Sequence, residues 1–81
     1  MFDFCEDEIS EFHLEVSKNV KKFRKLKKLS QMDLSLDMGF SNSSFLSQAE
    51  NPKMTRHHFS LEHLYKISKL LNIDMNELIK H

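Results

Sequence analysis

Apolar residues return along this chain at spacings of three and four, the period of a helix face. Ile9, Phe12, Val16, Val20 and Phe23 form the first such stripe and predict a helix over about residues 8–27. At about 100° per residue, Lys18, Lys21, Lys22 and Lys25 fall on its opposite side, a solvated back first and a binding surface second. Arg24 sits on the flank of the stripe, within reach of a partner. Ser30-Gln31-Met32-Asp33 has the form of a capping box, with a hydroxyl at the N-cap and a carboxylate three residues on. It opens a short second helix with Leu34 and Met38 facing inward, which stops at Gly39, the chain's one glycine, where a left-handed turn is needed. Phe40 resumes the apolar pattern. Ser41 or Asn42 caps a third helix that runs to about Glu50 and buries Phe45 or Leu46, together with Ala49. Asn51-Pro52 closes it, because proline disfavours a helical conformation in the residue before it.

Residues 52–59 form a polar loop in this reading. Ser60 caps a fourth helix with Leu61, Leu64, Ile67 and Leu71 inward and Asn72 as a left-handed exit. Asp74-Met75-Asn76-Glu77 is a second capping box, opening a last short helix with Leu78 and Ile79. Nothing has the alternation of a strand, and there is no repeat or low-complexity tract. The expected fold is all-α, five helices around one core.

Composition agrees with that class. Eighty-one residues, 40% hydrophobic and 30% charged, suffice for one small folded domain. One Gly, one Pro and no Trp leave too few turn residues for an all-β protein. The single cysteine allows no intrachain disulfide and fits a reducing interior. No apolar run approaches the roughly 18 residues of a membrane span, and the acidic start is not a signal peptide. The chain is therefore expected to be soluble and cytoplasmic, with no membrane contact.

Charge changes the picture because its signs are segregated. Lys+Arg 12 against Asp+Glu 12 gives zero overall. Residues 1–15, however, hold Asp3, Glu6, Asp7, Glu8, Glu11 and Glu15 and no base, so residues 16–81 carry twelve bases against six acids, a net of +6. Two accounts stand side by side. The basic block from Lys18 to Lys28 marks a surface for a polyanion, or the acids and bases simply complement the dipole of one long helix. The chain divides accordingly into an acidic N-terminal extension, 1–15, leading into helix one, and a domain over 16–81.

The informative unit is the pair of short helices joined through Gly39. In a helix-turn-helix the first helix crosses the DNA backbone and the second lies in the major groove. Ser35 supplies the small residue where the two touch, and Leu46 with Ala49 holds the second helix down. Asn42, Ser43, Ser44, Ser47 and Gln48 are left on the exposed side, short uncharged groups suited to a groove of donors and acceptors. A merely solvated helix would carry Lys and Glu there.

These residues resemble a known family. The run "NVKKFRKLKKLSQMDLSLDMGFSNSSFLSQAEN" followed by "SLEHLYKISKLLNIDMNELI" is similar to the Cro/cI-type (XRE-type) helix-turn-helix domain of phage repressors and bacterial regulators, over roughly residues 16–79. The resemblance rests on the order and spacing of Val20 to Arg24, Leu29-Ser30-Gln31, Leu34, Gly39, Glu50 and the final apolar helices. It implies a five-helix, lambda-repressor-like domain that binds double-stranded operator DNA as a homodimer. It further implies that Gln31 contacts phosphate, that Ser43, Ser44 and Gln48 read bases, and that Asn42 and Asn51 flank them on the backbone. Arg24 and Glu50 match a structural ion pair. Three features depart from the family pattern. Lys28 stands where glycine is usual, one extra residue lies between Gly39 and Glu50, and the loop after Asn51 is longer. That loop holds Lys53, Arg56, His57 and His58, of which Lys53 and Arg56 are further candidates for the DNA backbone.

Other chemistries fit less well. His57, His58 and His63 with Cys5 or Glu62 form a conceivable metal set, but no closely spaced cysteine pair is present. No serine, cysteine or histidine spacing matches a nucleophile motif. No cofactor, metal or enzyme activity is expected. Cys5, among Phe2, Phe4 and Ile9, has the setting of a small buried hydrophobe; these residues either pack under the domain or join a dimer interface. The leading expectation is a DNA-binding repressor or autoregulator. The alternative is a protein-interaction module, such as an antitoxin holding a toxin through the same scaffold.

Overall fold

The computed structural model describes residues 5–51 and 58–80. They form five helices and no strand: α1 (Glu6–Leu26), α2 (Gln31–Asp37), α3 (Ser44–Ala49), α4 (Leu61–Leu71) and α5 (Met75–Ile79). The expected all-α class holds. Phe2, Phe4 and most of the loop, with Pro52, Lys53, Arg56 and His57, lie outside the described residues.

Helix α1 runs unbroken across residues 15 and 16. Glu6, Asp7 and Glu8 sit in its first turn and Arg24 and Lys25 in its last, so the segregated charges do complement the helix dipole. Cys5 is exposed rather than buried, and its sulfur caps the helix by accepting from the Glu8 N–H at 3.4 Å. Val16 and Val20 are buried as the stripe predicts, with Phe23 packed at the edge of the core. Ile9 and Phe12, expected inward, are instead 45% and 43% exposed. Their spacing is correct, but 21 residues of helix span about 31 Å, and burial along α1 begins only at Val16. The stripe outruns the core.

The turn after α1 resolves the Lys28 departure. The Leu29 N–H donates back to the Arg24 carbonyl at 3.1 Å and the Lys28 N–H to Lys25 at 2.9 Å, which places Lys28 at φ 60°. That left-handed conformation is unfavourable for a residue with a Cβ. Lys28→Gly is therefore expected to stabilise the protein by about 1 kcal/mol, read as a higher urea midpoint at unchanged slope. An unmoved midpoint would mean the turn is not strained.

Helix α2 opens on the expected capping box. Ser30 Oγ accepts from the Asp33 N–H at 2.9 Å, and the Asp33 carboxylate accepts from the Ser30 N–H at 3.0 Å. The hydrogen bonds from the backbone and then the side chain of Ser30 hold the Asp33 carboxyl below its ordinary pKa. Leu34, Ser35 and Met38 are buried. Gly39 follows at φ 97°. Nothing crowds the place a Cβ would take there, so backbone conformation alone requires the glycine.

Helix α3 is shorter than expected. Its polar start comes from Asn42, whose Oδ1 accepts from the Ser44 N–H at 2.9 Å, while Ser43 at the cap position makes no such bond. Leu46 and Ala49 are buried. Phe45 is half-buried, stacked on Phe40 and edge-on to Phe59. Phe59 itself is core, contrary to the polar loop expected over residues 52–59. It precedes the Ser60 cap, and Leu64 at the N4 position is buried too, the arrangement of a hydrophobic staple.

The fourth helix uses histidine where a capping box normally has glutamate. His63 Nδ1 accepts from the Ser60 N–H at 3.0 Å and Ser60 Oγ accepts from the His63 N–H at 3.1 Å. Leu64, Ile67 and Leu71 face inward. Leu61, expected with them, is 75% exposed because it begins the helix beyond the edge of the core. Asn72 makes the expected left-handed exit, φ 55° and ψ 49°. The second capping box forms only by half: Asp74 accepts from the Asn76 N–H at 2.9 Å, while Glu77 lies 3.9 Å from Lys80 on the surface. Leu78 is fully buried, and Ile79 is exposed.

Packing pairs α1 with α5 and α4, α4 with α5, and α2 with α3 and α4. Two long-range polar bonds pin α1 to the rest. Ser17 Oγ donates to the Ala49 carbonyl at 2.7 Å, and Asn19 Nδ2 donates to the carbonyls of Leu78 and Lys80 at 3.0 and 2.8 Å. No described helix is long and apolar enough to cross a membrane.

Candidate nucleic-acid interface

The junction of α1, α2 and α3 is organised by one buried carboxylate. Glu50, which follows Ala49 at the end of α3, accepts from Arg24 Nε on Oε2 and from Arg24 Nη2 on Oε1, both at 2.9 Å. Arg24 Nη1 donates to the Leu29 carbonyl at 2.7 Å. Gln31, first residue of α2, donates its amide to Glu50 Oε1 at 3.0 Å. Both charged residues are almost wholly removed from solvent. The ion pair expected of Arg24 and Glu50 is therefore present, in the bidentate geometry that suits guanidinium to carboxylate. It ties the end of α1 and the start of α2 to the end of α3, 26 residues beyond Arg24.

Above this pair lies an open cleft of about 250 Å³ lined by Lys21, Gln31, Ser47, Glu50 and Asn51. Arg24 neutralises Glu50, so among the described residues the cleft offers the Lys21 ammonium, a side-chain amide and a hydroxyl, with Asn51 at its rim. That set suits an oxyanion such as a phosphate oxygen. Gln31 keeps a second amide hydrogen and its carbonyl oxygen beyond the bond to Glu50.

The other candidates lie along α3. Asn42, Ser44 and Ser47 are exposed, whereas Ser43 and Gln48 are half-buried. Asn42 has its oxygen committed to the start of the helix, which leaves its amide hydrogens as donors. The structure thus brings Gln31 and Asn51 together in the cleft and sets Ser44 and Gln48 on the adjoining helix, with Ser43 at its N-cap. Lys53 and Arg56 belong to the residues not described.

Sequence reasoning missed two members of the cleft. Lys21 belongs to a face expected to be a solvated back first and a binding surface second, and Ser47 is one of five polar residues on the exposed side of α3 with no individual role. The available signal was the position of Lys21 one turn before Arg24: if Arg24 reaches Glu50, Lys21 must stand beside the end of α3.

The described histidines make other contacts, while His57 lies outside the described residues. His63 caps α4 and packs against Phe45 and Phe40, and burial foremost lowers its pKa. His58 stacks on His13 with ring centres 3.8 Å apart. Burial and then the like charge of His58 lower the pKa of His13. Among the described residues, no three of His, Cys, Asp and Glu converge to hold a metal ion.

No family model, curated protein or solved structure matches the chain.

Proposed function

We propose that the protein is a lambda-repressor-like helix-turn-helix regulator that binds operator DNA sequence-specifically, as a two-fold dimer, and acts as a cytoplasmic repressor or autoregulator. The observation that carries this reading is the cleft at the α1–α2–α3 junction, where Lys21, Gln31, Ser47 and Asn51 meet beside a helix whose outer face bears no charge. Phosphate contacts fix the register of a protein on a duplex, and groove contacts read its sequence. In this assignment Lys21, Gln31 and Asn51 engage the backbone, with Asn42, Lys53 and Arg56 extending the contact. Gln48, Ser44 and Ser43 meet base edges, the glutamine being suited to adenine. Gly39 and Ser35 set the approach of α2 to α3, while Leu46 and Ala49 anchor α3 from beneath.

A second reading draws on the exposed apolar side chains Met32, Leu36, Leu61 and Tyr65, surface that a protein partner such as a toxin would cover. Salt separates the two. Affinity for random duplex DNA is expected to fall as salt rises, with a logarithmic slope of about −0.9 for each phosphate neutralised. A flat response, or no binding at low salt, would remove the DNA reading and leave the protein partner.

A further inference from the structure

We propose that Lys25 and Lys28 are further phosphate-gripping residues, which carry the contact made at the cleft by Lys21 into the turn between α1 and α2. The inference rests on the DNA-binding reading above and adds to it a lysine held in an unfavourable backbone conformation.

The backbone of Lys28 is the starting point. Three described residues have positive φ: Lys28 at 60°, Asn72 at 55° and Gly39 at 97°. Glycine takes that region without steric cost, and asparagine visits it more readily than most residues. Lysine has neither advantage, so Lys28 is the one of the three that glycine would relax. Its side chain finds no compensation inside the protein. It is exposed, and among the described residues it joins no ion pair. Nor does the helix dipole require it, because Arg24 and Lys25 already stand in the last turn of α1. Backbone strain of this kind gathers at functional sites.

The position of Lys28 identifies its ligand. The Lys28 N–H bonds to the Lys25 carbonyl at 2.9 Å, so Lys28 continues the end of α1 directly beyond Lys25. Lys25 stands one turn from Lys21, about 40° round the helix and about 6 Å along its axis. Three residues after Lys28 comes Gln31, which lines the cleft with Lys21. Lys21, Lys25, Lys28 and Gln31 therefore follow one another at spacings of four, three and three. Lys25 is exposed too, and among the described residues it has no ion pair. Lys18, by contrast, lies 3.7 Å from Glu15, and Lys22 rests over the ring of Phe23. The acids of the first turn cannot fold back to neutralise the row, since they belong to the same unbroken helix. One strand of a duplex carries a charge about every 3.4 Å of its axis, close enough for lysines about 6 Å apart each to meet a phosphate. A duplex backbone fits better than an acidic protein surface, because Gln31 and Ser47 carry the row to the uncharged outer face of α3.

Fluorescence anisotropy of the full chain on a random-sequence duplex, across a salt series, tests the row. Lys28→Gly should flatten the logarithmic salt slope by about 0.9, the share of one phosphate, and lower affinity about fivefold to tenfold at about 0.1 M salt. Lys28→Asn, which also accepts left-handed backbone, should match it, while Lys28→Arg should keep the wild-type slope. Lys25→Ala should lose about 0.9 as well. Because Lys28→Gly relaxes the turn, its weaker binding should come with a urea midpoint no lower than that of wild type. Lys80→Ala is the comparison for net charge alone. The Lys80 carbonyl bonds to Asn19, about 160° round α1 from Lys21, so removing that charge should leave the slope unchanged. Wild-type slopes in Lys28→Gly and Lys28→Asn, or in Lys25→Ala, would overturn the proposal, as would an equal flattening in Lys80→Ala. In any of these cases a wild-type protein with the expected salt slope leaves the proposed function standing. A wild-type protein that ignores duplex DNA at every salt concentration removes both.

Discussion

Arg24→Ala is expected to destabilise the fold by about 3–5 kcal/mol. The side chains of Arg24 and Glu50 are 7% and 1% exposed, so the variant leaves a carboxylate out of water with only the Gln31 amide opposite it. The Leu29 carbonyl loses its donor as well. For a domain of this size, each kcal/mol moves the melting temperature by about 4–8 °C, so a fall of at least about 12 °C should be seen by circular dichroism. Arg24→Lys should recover only part of the loss, because an ammonium cannot make the paired bonds of the guanidinium. Replacing both partners, Arg24→Met with Glu50→Leu, should recover most of it, since two apolar groups leave no buried charge unpaired. A melting temperature equal to wild type in Arg24→Ala would show that the pair does not hold α1, α2 and α3 together.

That pair also marks the boundary between what the residues reveal locally and what they do not. The helix starts at Ser30 and Ser60, the glycine exit at Gly39 and the left-handed Asn72 are all decided within four residues, and they were legible. Periodicity identified the faces of α1 and α4 but not how far the core reaches along them. Ile9, Phe12 and Leu61 therefore have the correct spacing and the wrong burial. Phe59 was misplaced for the converse reason: a single aromatic in a polar stretch has no period, and its burial depends on Phe45 arriving from α3. The Arg24–Glu50 bond spans 26 residues and was legible only through the family resemblance. Lys21 and Ser47 join the candidate site because two helices converge, a relation that no one helix displays.

The second large effect separates reading from gripping. Gln48→Ala is expected to weaken binding to the preferred operator by about 1–3 kcal/mol, roughly tenfold to a hundredfold, and to relax preference at one base pair. Random duplex should be bound almost as before, because non-specific affinity comes from phosphate contacts. Lys21→Ala should do the opposite, weakening operator and random duplex together and making the salt slope shallower by about one phosphate, 0.9 units. Gln31→Ala should also weaken every duplex, but with a loss of melting temperature that Lys21→Ala does not share, since only Gln31 is bonded to Glu50. Fluorescence anisotropy on operator, single-base variants and random duplex, each across a salt series, measures all three. If Gln48→Ala and Lys21→Ala lost affinity in equal proportion on every duplex, α3 would not be reading sequence. The uncharged outer face of that helix would then have to be explained by a protein partner.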